Sequence, residues 1–275
     1  MKMTSFTLAI LALSLIGCSL DSEYFQATRV NSYTLGTEVI DSGNIDTSPT
    51  FTSNGQTLYG VFVTAKNGFN ANTKTILYFH GRDKNIDKYW ERVGHLYDLD
   101  VNIFIFDYQG YGRSTGSPSL AGLRQNSRDA LTYLKTRNDV NTDKIVFYAY
   151  SFGGIFALDV AANMEEPMGL ITENIPANSE QILANSLTVK VPGSFVFDET
   201  FDSVKDMQGI SAPKLMFHAK NDETVPFSHH ARQIFKAASA PKTERPVENA
   251  KHSTLIDTLT ENTYRDEITT FLNDL

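Results

Sequence analysis

An α/β fold with a mostly parallel sheet, covered by helices on both faces, is the architecture this sequence predicts. Two observations carry it. From Thr75 onward, short apolar runs alternate with stretches whose apolar residues recur at helical spacing. Strands alternating with helices imply parallel pairing through helical crossovers. The polar clusters also follow the candidate strands: His80-Gly81-Arg82, Asp107 to Ser117, Ser151, Asn221-Asp222 and His252. In sheets of this kind, sites form at the carboxyl ends of the strands.

Taken in order, residues 1–17 read as a leader. Lys2 gives a positive start, and Phe6–Ile16 is an apolar run too short to span a bilayer comfortably. Leu15-Ile16-Gly17-Cys18 resembles a bacterial lipobox, whose cysteine is lipidated after cleavage; Cys18 is also the chain's single cysteine. The uncharged Ser19 leans that resemblance toward the outer membrane of a Gram-negative cell. Residues 18–31 are polar and read as a tether, leaving one large domain over residues 32–275. Tyr33–Ile40 and Thr57–Thr64 read as antiparallel edge strands, with Asn54-Gly55 as a turn between extended pieces. Lys66–Lys74, rich in Asn and Gly, is a loop.

The rhythm then starts. Thr75–Phe79 is a buried strand, and Lys88–Asp98 a helix with Trp90, Val93 and Tyr97 on one face. Val101–Phe106 is a strand and Leu123–Thr136 a helix. Ile145–Ala149 is the central strand, broken at Tyr150-Ser151-Phe152-Gly153-Gly154 and followed by a helix through Asn163. Gly169–Thr172 and Lys214–Ala219 are strands, Ser228–Ala238 a helix, Pro246–Glu248 a short strand and Ser253–Leu272 a closing helix. An insertion at about 176–211 is too short for a multi-helix lid. It predicts a shallow, open cleft under one or two short helices. Phe195, Phe197 and Phe201 either line that cleft or pack in the core, and core packing is the commoner fate.

The stretch from Lys144 to Asn163 organises the chemistry. A strand, a tight turn and a helix lift the Ser151 hydroxyl onto a helix N-terminus, the geometry of a nucleophile elbow. A serine needs a base, and the base needs a partner to hold its tautomer. His252 is the candidate base and Asp222 the candidate partner, with Glu223 as the alternative acid. The chain order is Ser, then Asp, then His, the order that resemblance to a nucleophile elbow of this kind implies. The developing oxyanion needs two fixed donors. The backbone N–H groups of Phe152 and Arg82 are the candidates. His80 ends a strand, His218 lies within one, His95 sits on a helix, and the adjacent His229 and His230 point different ways. No metal-binding spacing appears, so no metal is implied.

The set FHG, FDYQGYGRSTGSPS, AYSFGG, HAKNDETVPFSH and a late histidine resembles the α/β-hydrolase superfamily, most of all its small-lid abhydrolase-domain serine hydrolases. The resemblance runs from about Thr57 to the C-terminus. It implies a doubly wound, eight-stranded sheet, a triad of Ser151, Asp222 and His252, esterase-like, thioesterase-like or peptidase-like activity, and no cofactor. The chain departs from the family pattern at Ala149, Ala219 and Lys251, where relatives carry glycine.

The net charge of −8, without a basic run, excludes nucleic acid as a partner and makes a lipid, rather than electrostatic adhesion, the route to a membrane. Two functional classes stay open. One is a lipid-anchored serine hydrolase acting on small or acylated substrates, with a peptidase as the variant. The other is an envelope lipoprotein that uses the fold as a binding scaffold. The oligomeric state is not legible.

Overall fold

The computed structural model describes residues 24–36, 40–186 and 192–275. The leader and Cys18 lie outside the described residues.

Five strands form the parallel heart: β4 (Thr75–Phe79), β5 (Asn102–Asp107), β6 (Ile145–Tyr150), β7 (Gly169–Glu173) and β8 (Lys214–Ala219), every residue of them buried. β9 (Lys242–Val247) extends them in parallel beyond β8. At the other edge, β3 (Gln56–Val63) runs antiparallel to β5. The outer side of β3 is shared by β2 (Thr50–Ser53) and the two-residue β1 (Ile45–Asp46), both antiparallel. The order is β1-β3-β5-β4-β6-β7-β8-β9, with β2 on β3. The sheet therefore has nine strands among the described residues, where eight are expected. β1 is too short to leave a periodic signal. The turn between β2 and β3 puts both Asn54 (φ 50°) and Gly55 (φ 72°) in the left-handed region, as a tight two-residue hairpin requires.

Successive strand residues face opposite ways and build two cores. Leu77, Phe79, Phe104, Phe106 and Phe147 meet α2 (Leu120–Leu134) and α3 (Gly153–Asn163). Ile76, Tyr78, Ile103, Ile105 and Tyr148 meet α1 (Ile86–Tyr97) on the other face. The insertion carries α4 (Ser179–Ser186) and α5 (Ser203–Gln208). The helix α6 (Ala231–Ala237) follows β8. The expected closing helix is two, α7 (Leu255–Leu259) and α8 (Glu261–Asp274), broken at Thr260 with φ 72°.

Two further expectations change. Residues 33–36 of the expected edge strand pair with no strand, and 37–39 lie outside the described residues. Instead, Tyr33 donates to Asp107 Oδ2 at 2.8 Å and Gly36 accepts from Trp90 Nε1 at 2.7 Å. The segment from Tyr24 to Val30, read from its polarity as tether, is docked on the domain. Tyr24 and Phe25 are buried, and the backbone forms isolated parallel bridges at Ala27 with Lys84 and at Arg29 with Gly112. Two adjacent aromatic rings bury enough apolar surface to anchor an otherwise polar segment.

Candidate active site

β6 delivers Ser151 in the left-handed region, φ 52°, a conformation that strains a non-glycine residue by about 1–2 kcal/mol. The surroundings hold it there. Ser151 N–H donates to Glu173 O at 2.8 Å, and Gly154 N–H donates to Ser151 O at 2.9 Å as α3 begins. The turn also needs Gly153, because a Cβ there would sit 2.0 Å from Phe79 O. Ala149, by contrast, lies inside β6 opposite Phe79 and is fully buried, so its methyl is accommodated within the strand.

Asp222 follows β8. Its Oδ1 accepts from Thr224 N–H at 2.8 Å and Val225 N–H at 2.7 Å, which aims Oδ2 at His252 Nδ1, 2.6 Å away. A donating Nδ1 leaves Nε2 as the acceptor, and Nε2 lies 2.9 Å from Ser151 Oγ. The hydroxyl, imidazole and carboxylate therefore form one hydrogen-bonded line. The Asp222 carboxylate is wholly buried, while the His252 ring keeps 18% exposure toward the cleft. Glu223 is exposed, and it is Asp222 that meets the imidazole.

The His252 loop is pinned from below. Tyr150 Oη donates to His252 O at 3.1 Å, and Asn174 Nδ2 donates to the same oxygen at 2.9 Å. Asn174 also accepts from Ala219 N–H at 2.8 Å, which ties the end of β8 to the histidine loop. The loop's left-handed residue is Asn249, φ 60°, not Lys251, so the lysine in place of glycine imposes no strain. Beneath Tyr150 lies a buried ion pair. Arg92 Nη1 reaches both oxygens of Glu173 at 2.8 Å, its guanidinium stands 4.0 Å over the Tyr150 ring, and Tyr148 Oη donates to Glu173 at 2.6 Å.

Gly81 runs beside Ser151; a Cβ on it would lie 3.4 Å from Ser151 Cβ. Tyr111 Oη donates to Arg82 O at 2.6 Å, and Asp83 N–H donates to Tyr89 Oη at 3.2 Å, so aromatic hydroxyls brace this loop. Arg82, Phe152, Ser151 and His252 line one cleft of about 140 Å³. Tyr24, Phe152, Ile182 and Val225 contribute apolar lining to this cleft, and Asp83 and Lys88 contribute polar lining. Phe197 and Phe201 are buried behind Phe152, with ring centroids 6.4 and 6.0 Å from it, and Phe195 is exposed.

Three of the remaining histidines, His80, His218 and His230, do structural work. His80 Nδ1 donates to Gly81 O at 2.8 Å among tyrosine rings. His218 Nε2 donates to Val225 O at 2.8 Å, and burial pushes its pKa down to about 4, so it is neutral beside Asp222. His230 Nδ1 accepts from Ala177 N–H at 3.0 Å, and burial likewise lowers it to about 4. His95 lies on α1, with Nδ1 3.8 Å from Glu261. His229 is exposed. Sequence reasoning missed Asn174, Tyr150 and Tyr24. Asn174 carries the same mark as the others, a polar residue just past a strand; a tyrosine before a serine carries none.

Comparison with known proteins agrees with this architecture. The serine aminopeptidase (S33) hydrolase family matches residues 70–174, from just before β4 to just past β7. An uncharacterised Escherichia coli protein, YfhR, is 29% identical over 222 residues, covering 79% of this chain and 77% of its own. Human α/β hydrolase domain-containing protein 17B is 28% identical over 180 residues, 65% of this chain and 60% of its own. An esterase from Pyrococcus furiosus superposes with a TM-score of 0.73 at 15% identity, over 92% of this chain and 97% of that one. The chain has the α/β-hydrolase fold and, over residues 70–174, is similar to the serine aminopeptidase family of hydrolases.

Proposed function

We propose that this protein is a serine hydrolase that cleaves carboxylic esters or thioesters through an acyl-enzyme on Ser151. The observation that carries the reading is the unbroken line from Ser151 Oγ through the His252 ring to Asp222, 2.9 and 2.6 Å long, opening on a cleft. Ser151 Oγ attacks the carbonyl carbon while His252 Nε2 takes its proton. The carbonyl oxygen becomes an oxyanion against the N–H groups of Phe152 and Arg82, a pair in which each donor contributes about 10²–10³ in rate. The imidazolium, steadied by Asp222, protonates the departing alcohol or thiol. Water deprotonated by His252 then releases the acid and frees the serine.

A peptidase is the second reading, favoured by the description of the matching family. An aminopeptidase needs a carboxylate for the free amine. The carboxylate at the cleft, Asp83, is already engaged by Lys88 at 2.7 Å and Arg82 at 3.3 Å. That favours the ester reading. Cys18 is proposed as the lipidated anchor that holds the domain at the cell envelope, on the outer membrane in a Gram-negative cell; incorporation of labelled palmitate that a Cys18→Ser change abolishes tests it. The activity is tested with a fluorophosphonate probe. Labelling lost in Ser151→Ala and kept in a surface serine variant is expected. A folded protein that takes no label refutes the hydrolase and leaves the binding scaffold.

A further inference from the structure

The segment from Tyr24 to Val30 is wired into the cleft more closely than its place before the domain suggests. Its backbone exchanges hydrogen bonds with two loops at once. Lys84 N–H donates to Gln26 O at 2.7 Å, and Thr28 N–H donates back to Lys84 O at 2.9 Å. Gly112 N–H donates to Thr28 O and Val30 N–H donates to Gly112 O, both at 2.9 Å. Asn85 Nδ2 adds a bond to Thr28 O at 3.1 Å. The segment thus staples the loop bearing Arg82 to the loop after β5.

Its first ring ends inside the site. Tyr24 lines the cleft, and its ring centroid lies 5.4 Å from that of Phe152 and 4.9 Å from that of Phe197. The guanidinium of Arg82 stands 4.7 Å over the same ring. Tyr24 therefore touches, through side-chain packing, both residues proposed to supply the oxyanion donors. It is also part of the apolar lining of a cavity of about 140 Å³, which is small beside the roughly 300–1,000 Å³ of a pocket for a drug-sized ligand.

We propose that the strap of residues 24–30 is a working wall of the active site, and that Tyr24 sets the length of the acyl chain the enzyme accepts. This rests on the serine hydrolase reading. With the tyrosine in place, the apolar end of the cleft is closed and short acyl groups are selected. Truncating the ring opens space between Phe152, Phe197 and Ile182 into which added methylenes can enter.

The test is the chain-length profile of kcat/KM for soluble esters, measured on wild type and on Tyr24→Ala, Tyr24→Phe and Tyr24→Trp, each with fluorophosphonate labelling of Ser151. Tyr24→Ala should move the optimum to longer chains. Each methylene that enters the vacated space should raise kcat/KM about fourfold, the ratio equivalent to ~0.8 kcal/mol. Tyr24→Phe should keep the wild-type profile, and Tyr24→Trp should shift it toward acetate. If Tyr24→Ala does not fold, the opposite shift in Tyr24→Trp still decides. Variants that label normally yet show the wild-type profile, scaled uniformly or not at all, overturn the proposal while leaving the hydrolase reading intact. A wild-type protein that neither labels nor turns over any ester overturns both.

Discussion

Asn174 offers the sharpest test of how the histidine loop is held. Its side chain is fully buried, donating to His252 O at 2.9 Å and accepting from Ala219 N–H at 2.8 Å, and its φ is 53°. Asn174→Ala deletes both bonds. The buried Ala219 N–H is left without its acceptor, at about 1–3 kcal/mol. Alanine tolerates the left-handed backbone less well than asparagine, which adds about 1 kcal/mol. The sum is a loss of about 2–4 kcal/mol of stability. His252 O keeps only the Tyr150 hydroxyl, so the imidazole is less well aimed. A misplacement of ~1 Å reduces turnover by as much as about 10². Asn174→Gly separates the backbone from the side chain. It loses the same two bonds but tolerates φ 53°, so it should match the alanine variant in kcat while recovering about 1 kcal/mol of its stability. Urea unfolding at constant pH and kcat on a soluble ester measure the two quantities. Asn174→Ala within 0.5 kcal/mol of wild type, a bound taken from ordinary surface substitutions at about ±0.5 kcal/mol, with unchanged kcat, would refute the reasoning.

Two other predictions concern buried charge and acid. Arg92→Leu strands the Glu173 carboxylate, which is fully buried, and should cost about 3–5 kcal/mol; the double variant Arg92→Leu with Glu173→Gln should recover much of it. Equal losses in the single and double variants by thermal or urea unfolding would contradict that. His218 gains its proton at about 4 in the folded protein, whereas an unfolded histidine takes one near the ordinary value of about 6.5. Between those values the unfolded chain binds more protons, so stability falls with falling pH at about 1.4 kcal/mol per unit. The stability advantage of wild type over His218→Asn should therefore shrink by about 2 kcal/mol from pH 7 to pH 5. Parallel curves for the two proteins would exclude His218 as the source.

Much of this site was legible because its residues obey one rule of position. Ser151, Asp222, His252 and Arg82 each follow a strand of the sheet, and the strands that deliver Arg82, Ser151 and Asp222 are buried on both faces, so each leaves an apolar run or a sharp break in the sequence. β9 shows where that signal fades. As an edge strand it buries Val247 and leaves Lys242, Thr243 and Glu244 exposed, so only its last residues could be read as strand. The strap failed for a related reason. Its seven residues have no periodic pattern of their own, and their bonds go to Lys84 and Gly112, partners that no local reading pairs with them. Asn174 was missed because its work is done through the backbone of residues distant in the chain, Ala219 and His252.

The central claim is a covalent one, and mass spectrometry after rapid acid quench addresses it most directly. With a p-nitrophenyl ester under single-turnover conditions, the account predicts a transient mass gain equal to the acyl group, located on the peptide that contains Ser151. The gain should be absent in Ser151→Ala. Hydrolysis that proceeds with no adduct at any quench time, or an adduct on another residue that survives Ser151→Ala, would contradict it.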